Sequence, residues 1–278
     1  MAAQRHTTVT NKDALTLFLD ELKAASKLAG LKKSDELAAR LGYSASLVRM
    51  VMSGHRTPQP EFAAKCDETF GTPGTFARLE RRLRDLPFPA SYRPFVPHEK
   101  AAAVLRIFEP AVVTGLFQTE DYARGLLVRR PYTADSEVED LLAARLARQD
   151  ILAGDNPPVV YAVFDEAVLH RQVASAEVMR EQLTHLAHIA QRPNVLLQII
   201  PFSAGPHVGL QGGFTIAEVP EQPAIVFLDN IADGDVSDAA DTVAVVVQRF
   251  EALRADALSR GQSRDLITKV AGERWSSS

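Results

Sequence analysis

The chain has 278 residues, 46% of them hydrophobic and 24% charged, with a formal net charge of −4. That length suits two domains rather than one, and that balance excludes a disordered chain. The single cysteine, Cys66, excludes an internal disulfide and a cysteine-rich zinc site.

No run of about 18 uncharged apolar residues occurs, and the opening MAAQRHTTVTNKD lacks the apolar core of a secretory signal. A cytoplasmic protein that neither enters nor crosses a membrane is therefore expected. The charge is unevenly placed. Up to Leu86 there are 14 Lys+Arg and 10 Asp+Glu, against 17 and 25 beyond it. A basic head on an acidic body suits contact with a polyanion.

Residues 1–12 are polar and aperiodic and read as a flexible arm. From Asp13, the residues Leu15, Phe18, Leu19, Leu22 and Ala25 form one apolar helical stripe that stops at Gly30. The stretch SDELAARLGYSASLVRMVMSGHR (34–56) reads as two short helices about a tight turn. Ser34 is the expected N-cap, with Asp35 and Glu36 at the positive helix end. Leu37, Ala38 and Leu41 face inward, and Gly42 supplies the left-handed stop. Ser44 caps the second helix, whose inward face is Leu47, Val48 and Val51 and whose end is Ser53-Gly54. Such a pair places its second helix in the DNA major groove. An ordinary helical hairpin shares the pattern, and the flanks weigh against it.

Those flanks are basic before and after. Lys32 and Lys33 precede the pair, and HRTPQP follows it. Pro60 suits the first turn of a further helix that buries Phe62, Cys66 and Phe70 and ends at Gly71. Cys66 is then a core residue, not a nucleophile. A fifth helix carries Phe76, Leu79, Leu83 and Leu86 on one side and Arg78, Arg81, Arg82 and Arg84 on others. Residues 13–86 are thus expected to form an all-α, five-helix helix-turn-helix domain that binds DNA.

Pro87, Pro89, Pro94 and Pro97 make 87–97 a proline-rich linker of extended chain, with Phe88, Tyr92 and Phe95 packed on something. Residues 98–278 read as an α+β domain. HEKAAAVLRIFEP (98–110) is expected to be helical up to Pro110. QTEDYARGLLV and SEVEDLLAARLARQDILAG read as further helices, the first with Thr119 at its start. VVYAVF (159–164) reads as a buried strand, and VLLQII, GFTIAEV and AIVFLDN as three more, the last two in a hairpin. Helices are expected over 176–190, 238–259 and 262–274.

The odd segment is IIPFSAGPHVGLQGGF (199–214). It lacks the Gly-Lys-Ser/Thr of a phosphate-binding loop and is no dinucleotide fingerprint. Long loops in compact domains tend to be functional. A partner or ligand is therefore expected around Phe202, Ser203, His207, Gln211 and Asp229. His207 is the most suggestive titratable residue. Ser203, His207 and Asp229 could be assembled into a hydrolase, but no nucleophile elbow supports it. His185 and His188 are spaced to share a metal, yet no third ligand is spaced to complete the site. Asp165-Glu166 reads as a helix cap. No catalytic residue, metal or cofactor is expected.

LAARLGYSASLVRMVMSGHRTP (37–58) resembles the XRE (Cro/CI-type repressor) helix-turn-helix family in its Leu-Ala pair, turn glycine, recognition helix and Ser-Gly-basic-Pro ending. The resemblance implies base contacts at Ala45, Ser46 and Arg49, with Met50 beside them. It implies phosphate contacts at Ser34 and over Ser53, His55 and Arg56. Ser44 and the connecting Lys32 and Lys33 complete that expected phosphate-facing set. Ala45 stands where the family often has Gln, and Met52 where Glu is common, so readout would lean on thymine methyls and on Arg49 to guanine. EPAVVTGLFQTEDYAR, RLARQDIL, VFDEAVLHRQV, PNVLLQIIPFSAGPHVGLQGGF and FEALRADALSRGQSRDLITKVA are similar to the C-terminal domain of WhiJ-like regulators. That resemblance implies a transcription factor, often encoded beside a small partner protein and likened to an antitoxin. A homodimeric, sequence-specific DNA-binding repressor is the expectation. An antitoxin-like protein that sequesters its partner, or an enzyme with an appended DNA-binding head and His207 as acid–base, are the alternatives.

Overall fold

The computed structural model describes residues 11–31, 33–54, 56–84, 91–129, 135–154, 156–230 and 234–276. The chain divides into two compact units, Met1–Pro97 and His98–Ser278. The first is helix-rich and the second is a mixed α/β unit built on a six-stranded sheet.

The first unit contains α1 (Asn11–Leu28), α2 (Ser34–Leu41), α3 (Ala45–Met52), α4 (Pro60–Phe70) and α5 (Thr75–Arg84). Eight-residue helices such as α2 and α3 are too short to persist alone in water, so tertiary packing must hold them. It does so through one core in which Phe18, Leu22, Leu41, Val48, Phe62 and Phe76 meet. Phe18 and Phe76 pack edge to face with centroids 5.4 Å apart.

Local chemistry sets the ends. Gly42 turns the chain at φ 76°, where its N–H donates to the Ala38 carbonyl. The Ser44 hydroxyl accepts from the Leu47 N–H at 3.2 Å and so caps α3. The expected cap at Ser34 is corrected. Lys33 is the N-cap residue of α2, because the Glu36 carboxylate reaches back to accept its N–H at 3.2 Å. Asp67 on α4 braces α5, accepting from the N–H groups of Phe76 and Ala77 at 3.1 and 2.9 Å.

The proline-rich stretch differs from the expected extended linker. Residues 91–95 form turns, and α6 (Val96–Ala101) follows. Pro97 lies in its first turn, where a missing N–H costs no hydrogen bond. Phe88 lies outside the described residues, whereas Phe95 is fully buried beside Tyr92.

In the second unit the elements run β1 (Val104–Glu109), α7 (Glu120–Leu127), α8 (Asp135–Arg148), β2 (Val159–Asp165), α9 (Ala167–His170), α10 (Ala176–Ile189) and β3 (Val195–Ile200). Then come β4 (Phe214–Glu218), β5 (Ile225–Leu228), β6 (Asp235–Ser237), α11 (Ala240–Asp256) and α12 (Arg260–Glu273). The strand order is β3-β2-β1-β4-β5-β6. β1, β2 and β3 are parallel, and β4, β5 and β6 are added antiparallel.

Helical crossovers join the parallel strands, which makes half of the unit α/β in character rather than the α+β arrangement expected. The source of the difference is β1, read from sequence as the end of a helix. Leu105, Ile107 and Phe108 are buried in a central strand paired on both sides. One face of the sheet is covered by α11 through Val246, Phe250 and Leu253. On α10, Gln182 takes the Thr119 N–H on Oε1 and donates from Nε2 to the Phe117 carbonyl, both at 2.7 Å. These two bonds lock that helix to the 115–119 turn.

Candidate functional site

The first candidate is the outer face of α3. Val48 and Val51 are buried, while Ser46, Arg49 and Met50, three of the four expected base-contacting residues, are exposed. Ala45 does not share that face fully, since it is half-buried against the core. Arg49 Nη1 lies 2.8 Å from Asp35 Oδ1 of α2, with 57% and 71% of the two side chains exposed. Water screens such a pair, so it positions the guanidinium at small cost to any later exchange of partner.

Among the phosphate-facing set, Lys33, Ser44, Ser53 and Arg56 are exposed. The Ser44 hydroxyl is engaged as the α3 cap, and the Ser53 hydroxyl donates to the Met50 carbonyl at 3.1 Å. Ser34 is half-buried, and its hydroxyl donates to the Met52 sulfur at 3.9 Å. Lys32 and His55 lie outside the described residues.

The second candidate is one edge of the sheet. The register brings the carboxyl ends of β1, β2, β3 and β5 to the same edge, together with the start of β4. β4 runs antiparallel to β1 there, and open α/β sheets bind ligands outside the carboxyl ends of their parallel strands. Residues 201–213 run from β3 to β4 and so must cross this edge above β2 and β1.

Two pins hold the crossing loop. The His207 side chain, only 2% exposed, places Nε2 at 2.8 Å from Asp165 Oδ2. Its Nδ1 accepts the Gly209 N–H at 3.2 Å, which fixes the proton on Nε2. The neighbouring Glu166 accepts the Phe202 N–H at 2.7 Å and also contacts His170 Nε2 at 3.3 Å. Gly209 is required between Phe108 and α11, because a Cβ there would sit 2.2 Å from the Phe108 ring.

The hydrolase set, unsupported in the sequence, does not assemble at His207 either. His207 is paired with Asp165 and not with Asp229, and both of its nitrogens are engaged within the protein. Phe202, Ser203 and Gln211 are exposed, and Gln211 accepts from Arg249 Nη1 at 3.4 Å. Asp165 also accepts the Ala167 N–H at 2.6 Å, in the turn that leads into α9.

Asp229 belongs to a cleft of about 210 Å³ at the end of β1. Glu109 and Asp229 enter it from the sheet, Arg145 and Arg148 from α8, and Gln118 from the turn before α7. Burial pushes the Glu109 carboxyl up to about 8. The Asp229 carboxylate adds to that rise, and Arg148 and Arg145 offset part of it. Arg145 Nη1 donates to Gln118 Oε1 at 2.8 Å. Arg148 Nε lies 3.1 Å from Glu99 Oε2, the Glu99 side chain buried and that of Arg148 partly so. Gly115 leaves room for this, since a Cβ there would meet Arg148 Nη2 at 2.9 Å.

Sequence reasoning reached Asp229 but missed Glu109, Arg145 and Arg148. Reading β1 as a helix hid the fact that Glu109 closes a central strand. His185, half-buried on α10, has its pKa lowered by burial and by Arg192 and His188. Among the described residues no three His, Cys, Asp or Glu side chains are grouped to hold a metal ion. None of the described helices is long and apolar enough to cross a membrane.

A helix-rich unit followed by a mixed-sheet unit with a loop strapped across its carboxyl edge defines the class of protein. Residues 92–269 match the family model described as Domain of unknown function (DUF5753). The match takes in nearly all of the second unit, and the chain belongs to that family. No curated protein and no solved structure matches the chain significantly.

Proposed function

We propose that the protein is a sequence-specific DNA-binding transcriptional regulator, a homodimeric repressor whose first unit is a helix-turn-helix domain of the XRE type. The observation that carries this is the two-sidedness of α3. It follows a left-handed glycine turn, roots itself through Val48 and Val51, and leaves Ser46, Arg49 and Met50 outward. The basic residues around 32–56 and the resemblance of 37–58 to that family support it. Two such heads on a two-fold axis would read half-sites about 10 bp apart or a multiple of that. The second unit, WhiJ-like in the motifs quoted above, would bind a small partner protein or ligand and shift the population competent for DNA.

The test is a gel shift on the fragment upstream of the protein's own gene. Arg49→Ala with Ser46→Ala should weaken binding at least about tenfold, since one bidentate base contact is worth about 1–3 kcal/mol. Both side chains are exposed, so the melting temperature should not move. Undiminished binding by the double variant refutes the assignment. A second reading, an antitoxin-like protein that mainly sequesters its partner, is favoured by the exposed Phe202, Val208 and Leu210 on the crossing loop and Val245 on α11. Inhibition of a co-purified partner by a variant unable to bind DNA would favour it.

A further inference from the structure

The outward face of α11 and the turn beside it form a surface that is its own complement. Val246, Phe250 and Leu253 root α11 in the sheet. On the opposite side Asp241, Val245, Gln248 and Ala252 are exposed and fall at i, i+4, i+7 and i+11, one ridge along the helix. The turn Val208–Gln211 of the crossing loop packs on α11 next to that ridge. A Cβ at Gly209 would stand 3.0 Å from the Leu253 side chain, and Gln211 Oε1 accepts from Arg249 Nη1 at 3.4 Å. The same turn carries the exposed Val208 and Leu210. With Val245, three large apolar side chains stand in solvent around the outer side of α11.

Charge indicates what covers them. Asp241 and Arg249 are both exposed, and they lie four residues before and four after Val245. Two α11 helices crossing antiparallel at Val245 would set each Asp241 opposite the Arg249 of the other copy. A parallel pairing would set like against like. One acid and one base placed evenly about an apolar centre offer no net charge to a basic or an acidic partner. They fit the same surface turned through a two-fold axis.

We propose that α11 and the Val208–Gln211 turn form a two-fold interface between copies of this chain, with Val245 on the axis, Val208 and Leu210 flanking it, and an Asp241 to Arg249 pair on either side. The inference rests on the homodimer reading above and supplies its contact surface. Exposed ion pairs add little affinity, so they set direction while the apolar side chains supply the attraction. The turn is shaped before the copies meet. Its loop is fastened at Phe202 and His207 and wedged at Gly209, so Val208 and Leu210 are presented with little left to order.

The experiment is sedimentation equilibrium on the full chain without DNA. The parent should sediment as a dimer. Val245→Glu sets two carboxylates on the axis and should raise the dissociation constant at least about a hundredfold. Leu210→Glu, on the turn rather than the helix, should weaken association in the same direction even if the first variant folds poorly. Asp241→Arg and Arg249→Asp should each weaken the dimer about tenfold, because a reversal acts twice across the axis, and the two together should restore it. A monomeric parent overturns the proposal and leaves these side chains to a different protein. A dimer indifferent to Val245→Glu and Leu210→Glu overturns it, since the copies would then meet elsewhere. A double reversal that fails to restore association overturns it as well, since opposite charges would not then face each other. A gel shift on the same samples keeps the two readings apart: a parent that dimerises without shifting the fragment refutes DNA binding and not this interface.

Discussion

Glu109 shows how placement overrides residue type. On an exposed surface its carboxyl would be ionised at neutral pH. At the end of β1, burial and Asp229 raise it to about 8. The folded-state value lies above the unfolded one, so the protonated carboxyl favours the fold at low pH. That contribution is full below about 4.5 and is lost as pH rises to about 8. Glu109→Gln cannot titrate. Its melting temperature, followed from pH 4.5 to 9, should stay flat relative to the parent and exceed it above pH 8. Parallel curves for the two proteins would contradict the raised value. Cys66 obeys the same physics: burial, then Asp67, pushes its thiol up to about 12, which leaves little thiolate for chemistry at neutral pH. His207 was the most suggestive titratable residue in the sequence, and its two nitrogens are consumed in holding a loop.

At the scale of elements, the first unit depends on short helices braced by local contacts. Burial alone would raise the Asp67 carboxyl. The Thr72 hydroxyl and the Ala77, Phe76 and Thr75 N–H groups outweigh that and hold it below the ordinary value. Its contribution is therefore present above the usual carboxylate range and lost as pH falls through the lowered value. Asp67→Ala should cost about 1–2 kcal/mol, in the range of other helix caps. Hydrogen exchange at the Phe76 and Ala77 amides should report it as lost protection, and unchanged protection would show that the bonds contribute nothing. Contacts of this kind were legible where they are short-range. Gly42, Ser44, Pro60 and Gly71 announce their helix ends, and Thr119 caps α7. Ser34 misled because the competing interaction, Glu36 to the Lys33 N–H, supplies the same service one residue earlier. β1 misled because Ala101, Ala102 and Ala103 extend a helical pattern into VLRIFE, a six-residue strand stabilised by its two neighbours in the sheet.

For the whole molecule, the uneven charge of the sequence follows the two units, basic residues outnumbering acidic ones up to Leu86 and the reverse holding beyond it. In the DNA-binding reading, Lys32, Lys33 and Arg56 are the Lys/Arg members of the phosphate set. Each neutralised phosphate adds roughly −0.9 to the slope of log K against log salt, so one head predicts about −3 and a homodimer about −5. Titration of operator binding between roughly 50 and 200 mM salt measures this, and a slope near zero would remove phosphate contact from the account. The cleft was illegible from sequence for a topological reason. Glu109, Gln118, Arg145, Arg148 and Asp229 come together only because β5 returns to the carboxyl end of β1 through an antiparallel neighbour. The loop above β2 was legible as unusual, and the structure shows how it is fastened. Pinned at Phe202 and at His207, it leaves Ser203, Ala204, Gly205 and Pro206 exposed between its two feet. Gly209 tolerates no side chain and Gly205 holds a left-handed φ of 73°, but the rest of this short arch bears no such constraint. It is the part of the strap where length and composition can drift during evolution, and where an engineered tag can be spliced in without loosening the edge beneath.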